Sequence, residues 1–457
     1  MENKVIMFPI TCGEWLNRES NPHTPILWSK KGVISLEQLK SEVHSLCERI
    51  SPLAAERIAL FFDDHLSFIV SLLACLYAGK IPVLLGHTKL SRMISEQDSY
   101  DLLLCSYPLD ESINYQVYQP YETSGARVTP LPDLHPHQTL EIFTSGTSGR
   151  PKKIIKTLKQ MDDEIRLIYP LLRSRLQQCY LCTSVSPSHL YGLTFTVWLP
   201  LSTGVPVSQH RIVYAEQYST LCATHRYAFV TSPAFLKRID ETLPPSRTSL
   251  LLSAGGKLDQ STVLNTQSWL TTGIDEIYGS SETGIMAHRY RDAEEPAWCC
   301  LPGIEFHTSS EGWRVSSPLL SEQTDLALSD ELSFIDERHF NLIGRLSRLV
   351  KLEEKRISLD EIEQRILSLN GIQEVAVFTV ALQGRERIVA LIVTGPELKQ
   401  QWLHQKLLTE RQWRKELGNS LDDIALPRYW RIVDRIPCNA MNKREYSRLK
   451  ELFFETL

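Results

Sequence analysis

The chain has 457 residues, enough for about three domain-sized units and a sizeable core. A composition of 42% hydrophobic and 23% charged residues argues against disorder. A net charge of −5 gives no general attraction to nucleic acid or to an anionic membrane. The ten cysteines are scattered apart from the neighbours Cys299 and Cys300, and no Cys-x-x-Cys spacing suggests zinc or a redox dithiol. A reduced, cytoplasmic setting with most thiols buried is therefore expected. Residues 1–15 show no basic region leading into an apolar stretch, so no signal peptide is expected. The longest apolar run, 66–85, is broken by Gly79, Lys80 and Pro82 and is too short to span a bilayer.

In chain order, Ser35 precedes apolar residues at Leu36, Leu39, Val43 and Leu46, the spacing of a capped amphipathic helix. A strand over 57–62, an apolar helix over 67–78 and a strand over 81–85 make a parallel crossover unit. Residues 86–139 read as a surface-rich connection with a few short strands. An apolar run, 140–143, then leads into Thr144-Ser145-Gly146-Thr147-Ser148-Gly149-Arg150-Pro151-Lys152-Lys153. Glycines let the backbone reach positive φ and approach a ligand, and consecutive N–H groups form a concave anion site. Hydroxyls add donors or a metal ligand, and the lysines add positive charge. By its chemistry this loop cradles phosphate. It is not the Gly-x4-Gly-Lys-Ser/Thr loop, because Pro151 stands five residues after Gly146.

A helix over 156–176, interrupted at Pro170, is expected next, with strands over 227–232 and 249–253. The second strand ends in Ala254-Gly255-Gly256-Lys257. Ile277-Tyr278-Gly279-Ser280-Ser281-Glu282-Thr283-Gly284 follows, then Asp330 ahead of strands over 332–335 and 340–343. Residues 345–457 read as a small domain with helices over 358–369 and 400–415 and strands over 373–380, 388–393 and 429–433. Near its end stands Ile436-Pro437-Cys438-Asn439-Ala440-Met441-Asn442-Lys443.

Thr144 to Lys152 resembles throughout the phosphate loop of the acyl-adenylate-forming superfamily, which includes acyl- and aryl-CoA ligases, luciferases and peptide-synthetase adenylation domains. Five separately placed signatures occur in that family's order: this loop, the Tyr278–Gly284 run, Asp330, the Gly344–Glu363 run and the Lys443 loop. The resemblance implies an α/β fold. A large N-terminal domain, 1–344, would hold mixed and parallel sheets flanked by helices, and a small mobile α+β cap, 345–457, would hinge about 344–347.

It also implies roles. Thr144, Ser145, Gly146, Thr147, Ser148, Gly149 and Lys152 would hold the ATP phosphates. Gly255 and Tyr278 would meet adenine, Gly279, Ser280 and Ser281 the α-phosphate region, and Asp330 with Arg345 the ribose. Glu282, with Thr147, would hold Mg²⁺, and Lys443 would be the catalytic lysine. His189, Tyr191, Gly192, Ser253, Gly255 and Gly256 would line the acid pocket. Three positions depart from the family pattern: Ser347 replaces a hinge acid, Glu354 a glycine that meets pantetheine thiols, and Asn442 a glycine.

The implied activity is ATP-dependent activation of a carboxylic acid with release of pyrophosphate. Transfer to the phosphopantetheine thiol of an acyl carrier protein would follow, or alternatively to free CoA. Amino-acid-activating members of the family place an Asp before the pocket helix, and none stands near 189–193, so the resemblance implies an aryl or short-to-medium acyl acid rather than an amino acid. The texture of 351–359 is similar to stand-alone bacterial carrier-protein ligases of aryl-polyene-type pathways. A non-catalytic binding protein on the same fold is the alternative from another class. Retention of Lys152, Glu282, Asp330, Arg345 and Lys443 argues against it. Neither a nucleic-acid partner nor a membrane span is expected.

Overall fold

Two short antiparallel strands, β1 (Pro25–Ser29) and β2 (Gly32–Ser35), lead into helix α1 (Leu36–Ile50). Ser35 caps it: its Oγ accepts from the Gln38 N–H at 3.3 Å, and the Gln38 side chain accepts from the Ser35 N–H at 2.8 Å. This computed structural model describes residues 8–17, 21–85, 93–94, 96–109, 113–120, 131–145, 151–292, 294–310, 312–320, 325–345, 348–352, 355–382, 385–421, 423–438, 444 and 446–455.

The chain divides into two units, Met1–Phe306 with Val315–Leu326 and His307–Arg314 with Ala327–Leu457. In the first, β3 (Arg57–Phe61), the wholly buried helix α2 (His65–Tyr77) and β4 (Ile81–Leu84) form the expected parallel crossover. With β5 (Leu102–Cys105), β6 (Tyr115–Val117), β7 (Thr139–Ser145) and β8 (Pro151–Thr157) they make a sheet of order β6-β5-β3-β4-β7-β8. Only the β7–β8 pair is antiparallel.

The connection 86–139 holds short strands as expected, and β5 is buried at every position beside β3, because Leu102-Leu103-Leu104-Cys105 can face apolar neighbours on both sides of a parallel sheet. One expectation is overturned. The next helix, α3 (Leu158–Leu176), starts after Lys156, whose backbone continues β8 opposite Leu140. It also runs unbroken through Pro170. That proline is exposed, and the buried stripe Ile165, Ile168, Tyr169, Leu172 and Leu176 continues past it. Packing of that stripe outweighs the one helical hydrogen bond the proline removes.

The second sheet of this unit adds β9 (Cys179–Thr183), β10 (Val207–Ser208), β11 (Arg226–Thr231), β12 (Thr248–Ser253), β13 (Ile274–Ser280), β14 (Gly284–Arg291) and β15 (Trp298–Cys300). Its order is β15-β14-β13-β12-β11-β9-β10-β1-β2, parallel from β13 to β1. Tyr218, Phe229, Leu251 and Trp269 fill the core on one of its faces. Thr231 pairs with Ser253, and Ser253 with Glu276, so the carboxyl ends of β11 and β12 lie beside the first half of β13, whose residues 277–280 run on past them. In open α/β sheets such ends are where ligands bind.

The second unit contains the hairpin Asp330–Phe334 with His339–Arg345, and the hairpin Leu349–Leu352 with Lys355–Ser358. The boundary expected at 344–345 lies inside this unit, in the last two residues of its first hairpin. Strands Ile372–Leu382, Arg385–Thr394 and Tyr429–Ile432 form a sheet in that order. Val375 and Val377 face helix Leu359–Leu367 and Trp413 of helix Pro396–Leu417, while Ala376 and Phe378 face Leu449 and Phe453 of helix Tyr446–Glu455. The period-two alternation of 375–378 supplies a core on each face. All ten cysteines are free thiols, and no helix among the described residues is long and apolar enough to cross a membrane.

Candidate active site

The phosphate-loop run closes the β7–β8 hairpin, with Thr144 paired to Lys152. Gly146, Thr147, Ser148 and Gly149 lie outside the described residues, as do Lys443 and the departures at Ser347, Glu354 and Asn442. Along β8 the side chains alternate. Lys153 turns to Glu141, which also takes Arg57 at 2.6 Å. Lys152 and Lys156, four residues apart on the opposite face, both reach Glu282.

Glu282 sits on a tight turn between β13 and β14. Ser280 Oγ accepts from the Thr283 N–H at 3.1 Å, and Thr283 Oγ1 accepts from the Ser280 N–H at 3.0 Å. Two glycines are required. A Cβ on Gly279 would stand 2.3 Å from the Gly284 carbonyl oxygen, and Gly284 has φ +71°. Ser281 occupies the turn itself. Tyr278 is buried with its ring centroid 5.6 Å from that of Trp298. Below it, Asp275 is held by Arg175 and by His288 Nε2 at 2.7 Å, and Glu276 by Arg289 Nε at 2.8 Å.

The Lys152 ammonium donates to Glu282 Oε1 at 2.9 Å, and Lys156 Nζ to the Glu282 carbonyl at 3.0 Å. Burial pushes the Glu282 carboxyl up, but the hydrogen bonds and charge of Lys152 bring it net below its ordinary range. It is therefore an ionised, partly exposed carboxylate near neutral pH. One such carboxylate suits magnesium, which keeps phosphate oxygens and waters for its other positions. Glu282 is the residue that would hold that ion.

Lys156 and Glu164 are the residues missed by sequence reasoning. Burial pulls the Lys156 ammonium down, against the raising effect of Glu164 and Glu282; burial raises the Glu164 carboxyl. The only signal for Lys156 was its four-residue spacing from Lys152 on one strand face.

On the acid side, His189 occupies the N-cap position of the short helix Leu190–Leu193. The Tyr191 hydroxyl donates toward the carbonyls of Thr231 and Leu252, at 2.9 and 3.0 Å, and burial raises its pKa. It thereby staples the ends of β11 and β12. A Cβ on Gly192 would fall 1.9 Å from the Ser186 carbonyl oxygen, so the glycine permits close backbone packing. Ser253 is buried at the end of β12 with its hydroxyl lacking a hydrogen-bond partner among the described residues. Gly255, at φ +85°, and Gly256 follow it. The structure thus brings Lys152 and Glu282 together, and separately Tyr191 with the strand end that carries Ser253.

In the second unit Asp330 and Arg345 are direct cross-strand partners. Nearby in sequence, Arg348 Nε donates to Asp360 at 2.8 Å, and both Arg348 and Arg444 pair with Glu363, at 2.6 and 2.7 Å. Glu363 thus joins the residue just after the expected hinge to the residue just after Lys443.

Residues 108–307 match the family model described as AMP-binding enzyme, and residues 361–443 match that of the AMP-binding enzyme C-terminal domain. The nonribosomal peptide synthetase sidE of Aspergillus fumigatus is 22% identical over 95% of this chain and 22% of its own length. A 3,4-dihydroxybenzoate–[aryl-carrier protein] ligase of Bacillus anthracis is 20% identical over 89% of this chain and 93% of its own. The chain spans 22%, 17% and 30% of the length of the first three curated relatives it matches. The solved structure of ATP-bound MatB from Rhodopseudomonas palustris shares the fold, with a TM-score of 0.81 over 96% of this chain and 98% of that one at 17% identity.

Proposed function

The chain belongs to the AMP-binding enzyme family, and from that premise we propose that it activates a carboxylic acid as an acyl-adenylate. The observation that carries this reading is the meeting of Lys152, from the phosphate-loop hairpin, with Glu282, from the Tyr278–Gly284 turn. An oxygen of the substrate carboxylate attacks the α-phosphorus of ATP. The bond from that phosphorus to the α,β-bridging oxygen breaks, and pyrophosphate leaves.

The barrier is one of charge and placement, since an anion must approach a polyanion. Lys152 and the loop 144–149 hold the terminal phosphates, Tyr278 and Gly255 the adenine, and Gly279, Ser280 and Ser281 the region of the α-phosphate. Asp330 and Arg345 hold the ribose. Magnesium on Glu282 supplies neutralisation of phosphate charge when bound. Lys443 neutralises the reacting carboxylate and α-phosphate oxygens.

In the second step a thiolate attacks the acyl carbonyl, the bond to the phosphate oxygen breaks, and AMP leaves. A rotation about 344–347 separates the two steps. The acceptor is the phosphopantetheine thiol of a carrier protein, and the acid is aryl or short-to-medium acyl. The aryl-carrier-protein ligase that matches over nearly its whole length supports both choices. Free CoA is the second acceptor, favoured by the 4-coumarate–CoA ligase of Halorhodospira halophila, 23% identical over 66% of this chain. Ten free thiols suit a cytoplasmic setting.

The test is pyrophosphate release with aryl, hydroxyaryl, fatty and amino acids, each with and without CoA or a phosphopantetheinylated carrier protein. Acid-dependent release supports adenylation, and the thiol that yields a thioester names the acceptor. ATP binding with no release for any acid points to a binding protein instead.

A further inference from the structure

A buried lysine and a buried glutamate lie behind the Glu282 turn, and no step of the adenylation chemistry uses either directly. Lys156 is 4% exposed, and its Nζ donates to the Glu282 carbonyl at 3.0 Å. Glu164 is 3% exposed; its Oε1 accepts from the Ile285 N–H at 2.8 Å and its Oε2 from the Thr194 hydroxyl at 2.7 Å. Charges this deeply buried persist only when paired and hydrogen-bonded. Here their bonds go to the main chain on both sides of one turn, at the carbonyl of residue 282 and the amide of residue 285. Gly284 leaves room for this, since a Cβ there would stand 2.8 Å from Glu164 Oε1. Thr194 directly follows the helix that carries Tyr191, so Glu164 also ties the turn to the acid side of the site.

We propose that Lys156 and Glu164 are positioning residues for Glu282. They fix the backbone on either side of its carboxylate, so that the carboxylate meets magnesium on a bound nucleotide in one orientation. The inference rests on the adenylation reading above. Groups that orient a metal ligand change metal affinity by about 10–100-fold when removed. A purely structural pair would alter the melting temperature and leave the magnesium requirement alone.

The experiment is a magnesium titration of ATP binding to the full chain, followed by tryptophan fluorescence. Trp298, 5.6 Å from the Tyr278 ring, is the reporter. Wild type is compared with Lys156→Met and with Lys156→Met/Glu164→Gln. The single variant deprives the buried Glu164 carboxylate of the nearby positive charge of Lys156 and is expected to melt earlier. The double variant removes both charges, keeps an oxygen for the Ile285 N–H, and is expected to recover most of that loss. Its magnesium midpoint should nevertheless rise by about tenfold or more. An unchanged midpoint in the double variant would overturn the proposal. No ATP response in the wild type at any magnesium concentration would instead overturn the adenylation reading, and this inference with it.

Discussion

At Gly284 the missing side chain decides whether the turn can close. Its φ is +71°, and a Cβ would press on Glu164 Oε1 at 2.8 Å and on Leu319 Cδ1 at 2.9 Å. Gly284→Ala should therefore destabilise the fold by about 1–3 kcal/mol, seen as a lower urea midpoint at unchanged slope. Asp162 offers a second test. Burial raises its carboxyl to about 6, against the opposing hydrogen bonds from the Cys12 N–H and the Trp198 indole. The folded state thus holds this proton more tightly than the unfolded chain does. The stabilisation is complete below about pH 4 and lost as pH rises through about 6. Asp162→Asn keeps an oxygen for both donors and cannot titrate. Relative to wild type it should gain roughly 2–3 kcal/mol as pH rises across that window, read from denaturation curves at each pH. A constant difference would show that Asp162 does not titrate there.

Among the elements, Glu363 on helix Leu359–Leu367 carries the clearest consequence. It compensates two largely buried arginines whose guanidinium pKa values burial lowers and Glu363 raises. Glu363→Ala leaves Arg444 without its carboxylate and Arg348 with Asp360 alone, and should cost the second unit about 3–5 kcal/mol, measurable as faster amide exchange in helix Tyr446–Glu455. Nothing in the sequence marks Glu363 as a bridge, because its partners lie 15 residues before and 81 after it. What sequence did make legible was contiguous chemistry. The alternation of hydroxyls and glycines over 144–149, and the run Tyr278–Gly284, each gather their candidate groups in consecutive residues of the sequence. Lys156 and Glu164 were illegible for the opposite reason: inside an expected helix over 156–176, neither stands in a run of functional residues. Only the strand pairing that sets Lys156 opposite Leu140, at the penultimate residue of β8, turns it inward. Pro170 misled similarly, since its penalty is local and the stripe that overrides it spans the whole of α3.

For the whole molecule, the α/β class followed from apolar runs separated by helix-spaced segments, while the strand order could not be read, because it depends on which buried faces meet. The two units each carry a core of their own, and the proposed chemistry divides between them. The lysine proposed to act on the reacting oxygens belongs to the second unit, and the phosphate and metal contacts belong to the first. Lys443→Ala should accordingly lower acid-dependent pyrophosphate release by about 10²–10³-fold. Thermal stabilisation of the same variant by MgATP should stay close to that of the wild type. Loss of both together would place Lys443 in nucleotide binding rather than in the reaction.

The ion pair between Lys152 and Glu282 means that the site neutralises itself when empty. Nucleotide arriving alone would claim the lysine and strand the carboxylate; magnesium arriving alone would do the reverse. Together they exchange one ion pair for two. ATP and magnesium should therefore bind with positive cooperativity, and each should tighten the other by the same factor, as reciprocity requires. Lys152→Met would weaken that coupling equally in both directions, because Glu282 is then free for the metal ahead of the nucleotide, so that the interdependence of the two ligands becomes a property of a single side chain.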